Sequence, residues 1–473
     1  MDSLAEFYRT NMAKAQELHA IGKIGEAESI YQQMFNTFGQ RPELLQALGT
    51  IATQRHNNGF GIYLLEQAIL NGYERFEAYH NLAAALRTEH KVQKAEWAFG
   101  KALEVAENPL QKADALVGRA CLYVNAGEPQ RAIDLCDQAL KEYPDHRFAL
   151  WNRGIAYLES GNWKDGFHWY DKAGFRSDMN KPPERKVRTY GDKPEWFPGR
   201  ETRDKTVVVY GEQGIGDEIM FASVIPDLIA KSGRVIIDCD KRLEGLFKRA
   251  FPDCTIYTTS GVEPEWIQHD PPDYRMAMGS LGKWFRRKDS DFPRTPFLTA
   301  DPERRAYWRE QLAPYKGRKI GISWVGGSKY TRADLRSVPL PLWQPIIESD
   351  CHVFSLQYHK WAADECAEVG KIIGKPIHHW QDTIDDYEDT AAFASELDLI
   401  ITVNTSLLHL CGALDLQTWC LTPFAAAWRY GLKGPHPFYG SVEMFRQNKG
   451  EAWGAVIARV ADRLNEQRQE VAA

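Results

Sequence analysis

A repeating period constrains this chain more than any other feature. The segments AIGKIGEAESIYQQM, EHKVQKAEWAFGKAL, NAGEPQRAIDLCDQAL and ESGNWKDGFHWYDKA are variants of one unit, and their aligned turn positions Gly22, His56, His90, Gly127 and Gly161 are spaced by 34, 34, 37 and 34 residues. Five residues past each turn the position is always small: Ala27, Gly61, Ala95, Ala132 and Gly166. Seven further on stand Met34, Ala68, Ala102, Ala139 and Ala173, with Tyr31, Leu65, Phe99, Cys136 and Tyr170 between the two series. Small residues at fixed places let helices cross closely. One helical hairpin cannot bury its apolar face alone, so units of this period stack into a superhelix with a concave surface.

This pattern, with Pro144 after a second helix, resembles the tetratricopeptide repeat. The fourth and fifth copies lie nearest its consensus (Ala120, Tyr123, Ala132, Ala139, Pro144; Gly154, Tyr157, Gly166, Ala173). The resemblance implies a groove that holds a polypeptide; a spacer or dimerisation arm is the plainer alternative.

The periodicity stops near Gly174, and Pro182, Pro183, Pro194 and Pro198 mark residues 176–204 as a linker after a repeat region at 1–175. From Lys205 buried strands alternate with helices (KTVVVYG, EIMFASVIPDLIAKS, RVIIDCD, CTIYTT), the rhythm of a parallel α/β sheet. A second such run begins at KIGISWVGG, which divides the region into lobes at 205–315 and 316–473 with a ligand cleft between them. The first strand-to-helix turn, Gly211-Glu212-Gln213-Gly214-Ile215-Gly216-Asp217, lets backbone approach a ligand at a helix N-terminus. Asp217 there is either an ordinary cap or a general base. Asp238 and Asp240 stand where a dinucleotide fold keeps its ribose-binding acid, but GxxGxG is not GxGxxG, and a strand end is poorly shaped for a chelating DxD.

Net charge is −6 with no block of like charges, so the footprint of a nucleic-acid binder is missing. The eight cysteines show no CxxC and no ligand spacing to histidines, which reads as reduced thiols in a cytoplasmic protein. No apolar run reaches the ~20 residues of a membrane span. Fifteen tryptophans imply large aromatic cores and clefts.

The segments GISWVGGSKYTRADLRSVPL, VFSLQ, DDYEDTAAFASELDLIITVNTSLLHLCGAL, TPFAAAWRYG and MFRQ, with IGDEIMFASVIPDL in the first lobe, resemble GT-B glycosyltransferases of the ADP-heptosyltransferase-like group (family 9), particularly bacterial members carrying tetratricopeptide repeats. The resemblance covers about 205–447. It implies an α-solenoid followed by a GT-B fold of two Rossmann-like lobes. It also implies a metal-independent, inverting transfer of a sugar, hexosyl or heptosyl, from a nucleotide sugar to a hydroxyl of a protein, peptide or glycan. Asp217 would be the base. Gly214 and Gly216 would approach the donor, Asn404-Thr405-Ser406-Leu407 and His409 would hold its diphosphate, and Lys329 and Arg336 would supply cationic charge in place of a metal. Trp324 and Gln357 would meet the nucleotide, and no cofactor is called for beyond the donor. Many members have Asp where this chain has Asn404. Trp428 and Arg429 in AAAWRYG resemble the family's WR pair near the cleft, with lobe packing the plainer reading of Trp428; His409 is also readable as a core histidine, and Asp389 and Thr390 as a helix start or, alternatively, a ligand contact. The competing classes are a non-catalytic repeat scaffold with a degenerate α/β module and, less well supported by the glycines, a dinucleotide oxidoreductase.

Overall fold

The computed structural model describes residues 2–174, 190, 193–200, 204–259, 264–327 and 332–472. Lys329 and much of the expected linker fall outside them. The chain forms two compact units, Met1–Ala156 and Tyr157–Ala473.

The first unit is built of paired helices: α1 Asp2–Ala20 with α2 Ile24–Phe38, α3 Pro42–Gln54 with α4 Asn58–Leu70, α5 Phe76–Thr88 with α6 Val92–Glu104, and α7 Pro109–Asn125 with α8 Pro129–Glu142. Each of the aligned turn residues takes a positive φ: Gly22 81°, His56 63°, His90 55°, Gly127 67° and Gly161 79°. A left-handed residue ends the first helix of a hairpin, and glycine does so without the steric cost that the two histidines bear. The small positions are the helix crossings. A Cβ on Gly61 would lie 2.4 Å from Thr53 Cγ2 and 3.0 Å from the Gly49 carbonyl oxygen. Tyr31, Leu65, Phe99 and Cys136 fill the layers between crossings and are buried.

The boundary between the units falls within α9, Arg147–Glu159, so α10, Trp163–Ala173, belongs to the second unit. There Trp163 Nε1 donates to Asp289 at 2.7 Å, Lys283 pairs with Asp171 at 3.1 Å, and Phe167 fills the space a side chain at Gly282 would need. Thus the helix that closes the repeat period in sequence is also a wall of the α/β unit.

That unit holds two parallel sheets. The first has the order β3-β2-β1-β4, from β1 Thr206–Tyr210, β2 Arg234–Asp238, β3 Thr255–Tyr257 and β4 Tyr274–Ala277. Residues 193–196 of the expected linker lie against β4: Trp196 N–H donates to the Arg275 carbonyl at 3.0 Å and Arg275 N–H to Pro194 at 3.1 Å. The second has the order β10-β9-β8-β5-β6-β7, from β5 Lys319–Ser323, β6 His352–Ser355, β7 Ile377–His379, β8 Leu399–Val403, β9 Thr418–Thr422 and β10 Val442–Arg446. Counted within its lobe this is 3-2-1-4-5-6, the order of a doubly wound α/β sheet. Its β8 and β9 are buried throughout, as a sheet covered on both faces demands. Val456, Ile457, Val460 and Leu464 of the C-terminal helix close one face.

Candidate functional site

In a doubly wound sheet ligands bind where the strand order reverses, beyond the carboxyl ends of the central strands. In the second lobe that point lies between β5 and β8, and the loops leaving these strands meet there. A Cβ on Gly326 would sit 2.8 Å from Thr405 Cγ2 and 3.0 Å from the Asn404 carbonyl oxygen, so only glycine lets them approach. The Ser406–Ala413 helix starts at this place with Thr405 as its N-cap in extended geometry and no side-chain cap. In the first lobe the helix Ile215–Ala222 follows β1 with Gly214 as N-cap, again without a side-chain cap. The two helix starts touch each other. A Cβ on Gly216 would come within 3.1 Å of Ser406 Cα and of His409 Cδ2. Two positive helix ends therefore converge across the lobes, an arrangement that favours negative charge between them.

Asp217 supplies one such charge. It is the third residue of its helix, and its Oδ1 pairs with the Arg429 guanidinium at 2.6 Å. Both side chains are about four-fifths buried, at 18% and 21% exposure. Burial works against the Arg429 charge, yet Asp217 and the neighbouring tyrosines outweigh it and raise its pKa. Arg332 and Arg336 lie within electrostatic reach of Arg429, and burial lowers both. Arg336 Nε donates to the Gly326 carbonyl at 3.0 Å, which fixes it at the switch point. Arg332 stands at φ 56° and its buried Nη1 has no hydrogen-bond partner among the described residues. Glu159, which faces Arg332, is pushed up to about 8 by burial and so is largely protonated at neutral pH. Among the described residues, three guanidinium groups thus lie within electrostatic reach of the carboxylates of Asp217 and Asp334, a positive excess.

Asn404 directly follows β8 at 1% exposure. Its Oδ1 takes a long contact from Cys420 Sγ at 3.8 Å, while its Nδ2 has no partner among the described residues. An unmatched buried donor costs about 1–3 kcal/mol.

Several residues expected to touch a nucleotide are instead committed to the protein. Trp324 is fully buried and donates through Nε1 to Glu365 at 2.8 Å. Gln357, also fully buried, accepts at Oε1 from Trp324 N–H at 3.0 Å, Val325 N–H at 2.9 Å and the Ser323 hydroxyl at 3.1 Å, and so braces the loop after β5. His409 is enclosed, its ring nitrogens 3.2 Å from the Tyr439 hydroxyl and 3.4 Å from that of Tyr430. Burial, His436, Arg429 and Arg336 hold its pKa well below the usual value, so a neutral core histidine stands there. Gly216 makes room for Ser406 and His409, and the Leu407 side chain is buried. Gly214, Thr405, Ser406, Asn404, Arg336 and Asp217 are brought together; Lys329 lies outside the described residues.

Other acids have structural roles. Asp238 accepts from Thr259 N–H at 2.9 Å and from the Tyr190 hydroxyl at 2.8 Å, and Asp240 caps the turn that carries its partner Arg242. Asp386 caps the helix Tyr387–Ala394, leaving Asp389 to Arg304 and Trp308, while Thr390 donates to the Thr383 carbonyl. Arg332 carries no signal in the sequence, and the resemblance puts Arg429 near the cleft without pairing it to Asp217. Arg332 stands four residues before Arg336, and Arg429 follows Trp428, which packs on Phe167, Tyr170 and Phe221. Behind the Asp217 turn, Tyr170 donates to Glu212 at 3.3 Å and accepts from Gln213, a link that periodicity does not announce. Among the described residues there is no group of three or more His, Cys, Asp or Glu that could hold a metal, and no helix long and apolar enough to cross a membrane. The eight cysteines are unbridged.

The tetratricopeptide-repeat family profile matches residues 117–179, and the chain carries these repeats. FlbA of Caulobacter vibrioides (strain ATCC 19089 / CIP 103742 / CB 15) is 28% identical over 370 residues, 74% of this chain and 60% of FlbA. That stretch exceeds what the repeats can supply, so it runs into the α/β unit; the chain spans about 60% of FlbA's length. The photosystem I assembly protein Ycf3 of Synechococcus sp. (strain CC9902) is 30% identical over 82 residues, 16% of this chain and 47% of that protein. Among solved structures, MamA shares 22% identity at a TM-score of 0.30 over 34% of this chain and 91% of its own. YrrB, described as a TPR protein with an unusual peptide-binding site, shares 18% at 0.29 over 34% and 82%.

Proposed function

We propose that the α/β unit is a metal-independent, inverting glycosyltransferase of GT-B architecture that uses a nucleotide-sugar donor. The observation that carries the reading is the Asp217–Arg429 pair at 2.6 Å, set between two converging helix starts with Arg332 and Arg336 beside it. The acceptor oxygen attacks the anomeric carbon in line as the bond from that carbon to the diphosphate breaks. The hydroxyl proton passes to Asp217, and the negative charge of the departing nucleoside diphosphate falls to the arginines and the Ser406 helix start. Arg429 orients the carboxylate. The repeats would hold the acceptor: their first unit has a cavity of about 470 Å³ with Gln16, Gln46 and Thr50 among tyrosines Tyr8, Tyr31 and Tyr73, a lining suited to an extended polypeptide.

The test is a melting-temperature screen with ADP-, UDP-, GDP- and dTDP-sugars, since a ligand at a hundred times its Kd stabilises by ~2.7 kcal/mol. Transfer from the stabilising donor should fall ~10²- to 10⁴-fold in Asp217→Asn and be indifferent to EDTA. A requirement for Mn²⁺ or Mg²⁺ would refute the role given to the arginines. A non-catalytic module is the second reading, favoured by the burial of Trp324, Gln357 and His409; it predicts no stabilisation by any of the four donors.

A further inference from the structure

With Gln357 and Trp324 buried, the nucleoside part of a donor needs another contact, and the loop after β6 carries one. Tyr358, His359 and Trp361 form a ladder of rings, with centroids 4.2 Å and 4.8 Å apart and planes within 28° and 25°. The ladder contributes little to a core: Tyr358 is 55% exposed and Trp361 44%. It is nonetheless held firmly. Gln357 Nε2 donates to His359 Nδ1 at 2.7 Å and to the Val325 carbonyl at 3.1 Å, so one buried amide ties the middle ring to the loop after β5. Ala362 N–H, donating to the His359 carbonyl at 2.9 Å, fixes the loop to the following helix. Tyr358 is the rung within electrostatic reach of Arg336.

We propose that Tyr358, backed by His359 and Trp361, is the platform on which the base of a nucleoside diphosphate stacks while its phosphates lie at the arginine cluster; this rests on the donor reading above. A nucleoside diphosphate presents a flat π face one ribose away from its charge, which matches an exposed ring within electrostatic reach of Arg336. Stacking accepts any base, so the platform adds affinity without choosing among bases. It also gives the buried Gln357 a purpose: it positions the ladder instead of touching the ligand.

Titration calorimetry of the full chain with ADP, UDP, GDP and inorganic pyrophosphate tests this. Nucleoside diphosphates should bind at least ten-fold more tightly than pyrophosphate. Tyr358→Ala should remove about ten-fold of that affinity and leave pyrophosphate unchanged, Tyr358→Phe should restore it, and Trp361→Ala should have less effect than Tyr358→Ala. An unchanged melting temperature will show that the exposed substitutions leave the fold intact. Equal loss for pyrophosphate and nucleotides, or full nucleotide affinity in Tyr358→Ala, would overturn the platform while leaving the charge-based reading standing. If neither pyrophosphate nor any nucleotide binds the wild type, the donor reading falls and the platform with it.

Discussion

Removing the Asp217 charge should cost more than removing its partner's. In Asp217→Asn, Arg429 stays four-fifths buried beside Arg332 and Arg336, and the carboxylate that offset their repulsion is gone. Breaking a fully buried pair by deleting one partner costs about 3–5 kcal/mol, and partial exposure brings this to about 2–3 kcal/mol here. In Arg429→Gln the Asp217 carboxylate keeps Arg336 as a nearby counter-charge and one term of the like-charge repulsion disappears, so the cost should be nearer ~1 kcal/mol. Unfolding in urea, which leaves ionic strength free to vary, should show this asymmetry at 50 mM NaCl and a smaller one at 500 mM, because salt screens the exposed fraction of the pair. Added pyrophosphate should stabilise Asp217→Asn more than the wild type, the anion replacing the negative charge that is lost beside the arginines. Equal losses in the two variants, or a larger one in Arg429→Gln, would mean that Arg332 and Arg336 do not share the Asp217 charge, and the argument for an anion site would fail.

Glu159 is raised to about 8 in the folded chain against an ordinary carboxylate range near 4.5, so the folded state holds a proton that the unfolded chain gives up. Its contribution is fully present below pH ~4.5 and lost as pH rises toward 8, at no more than about 1.4 kcal/mol per pH unit; the difference in stability between wild type and Glu159→Gln, followed from pH 5 to 8, should move in favour of the variant. Gly216→Val should destabilise by about 1–3 kcal/mol, since even its Cβ meets Ser406 and His409 at 3.1 Å, whereas Gly214→Ala should be close to neutral, with φ −81° and nothing nearer than Asp217 at 3.6 Å; thermal unfolding of the pair distinguishes a packing glycine from a ligand-facing one.

The repeats were legible in the sequence because everything that defines them is local. A left-handed turn, a small crossing residue and a large filler recur at a fixed spacing, and the backbone follows that spacing even where His56 and His90 replace glycine. The strands TVVVY, RVIID, KIGIS, LIITV and TWCLT were legible for the same reason, as apolar runs long enough for a doubly covered sheet. The short β4 (YRMA) and β7 (IHH) carry too little apolar sequence to stand out, and only their neighbours in the sheet make them strands. Asp217 and Asn404 could be placed just beyond strand ends by counting along the chain, and Arg336 in the segment that follows β5. Which side of a strand end faces the cleft could not. Trp324, Gln357 and His409 sit at the right sequence positions, and packing turns them inward, where each finds partners from segments remote in sequence. Packing alone likewise joins Arg429 to Asp217 and sets Tyr170 behind the Asp217 turn. Local sequence fixes φ and period; the burial of side chains at strand ends and pairing across a cleft are decided by how two sheets and their loops come to rest against each other, which no period records.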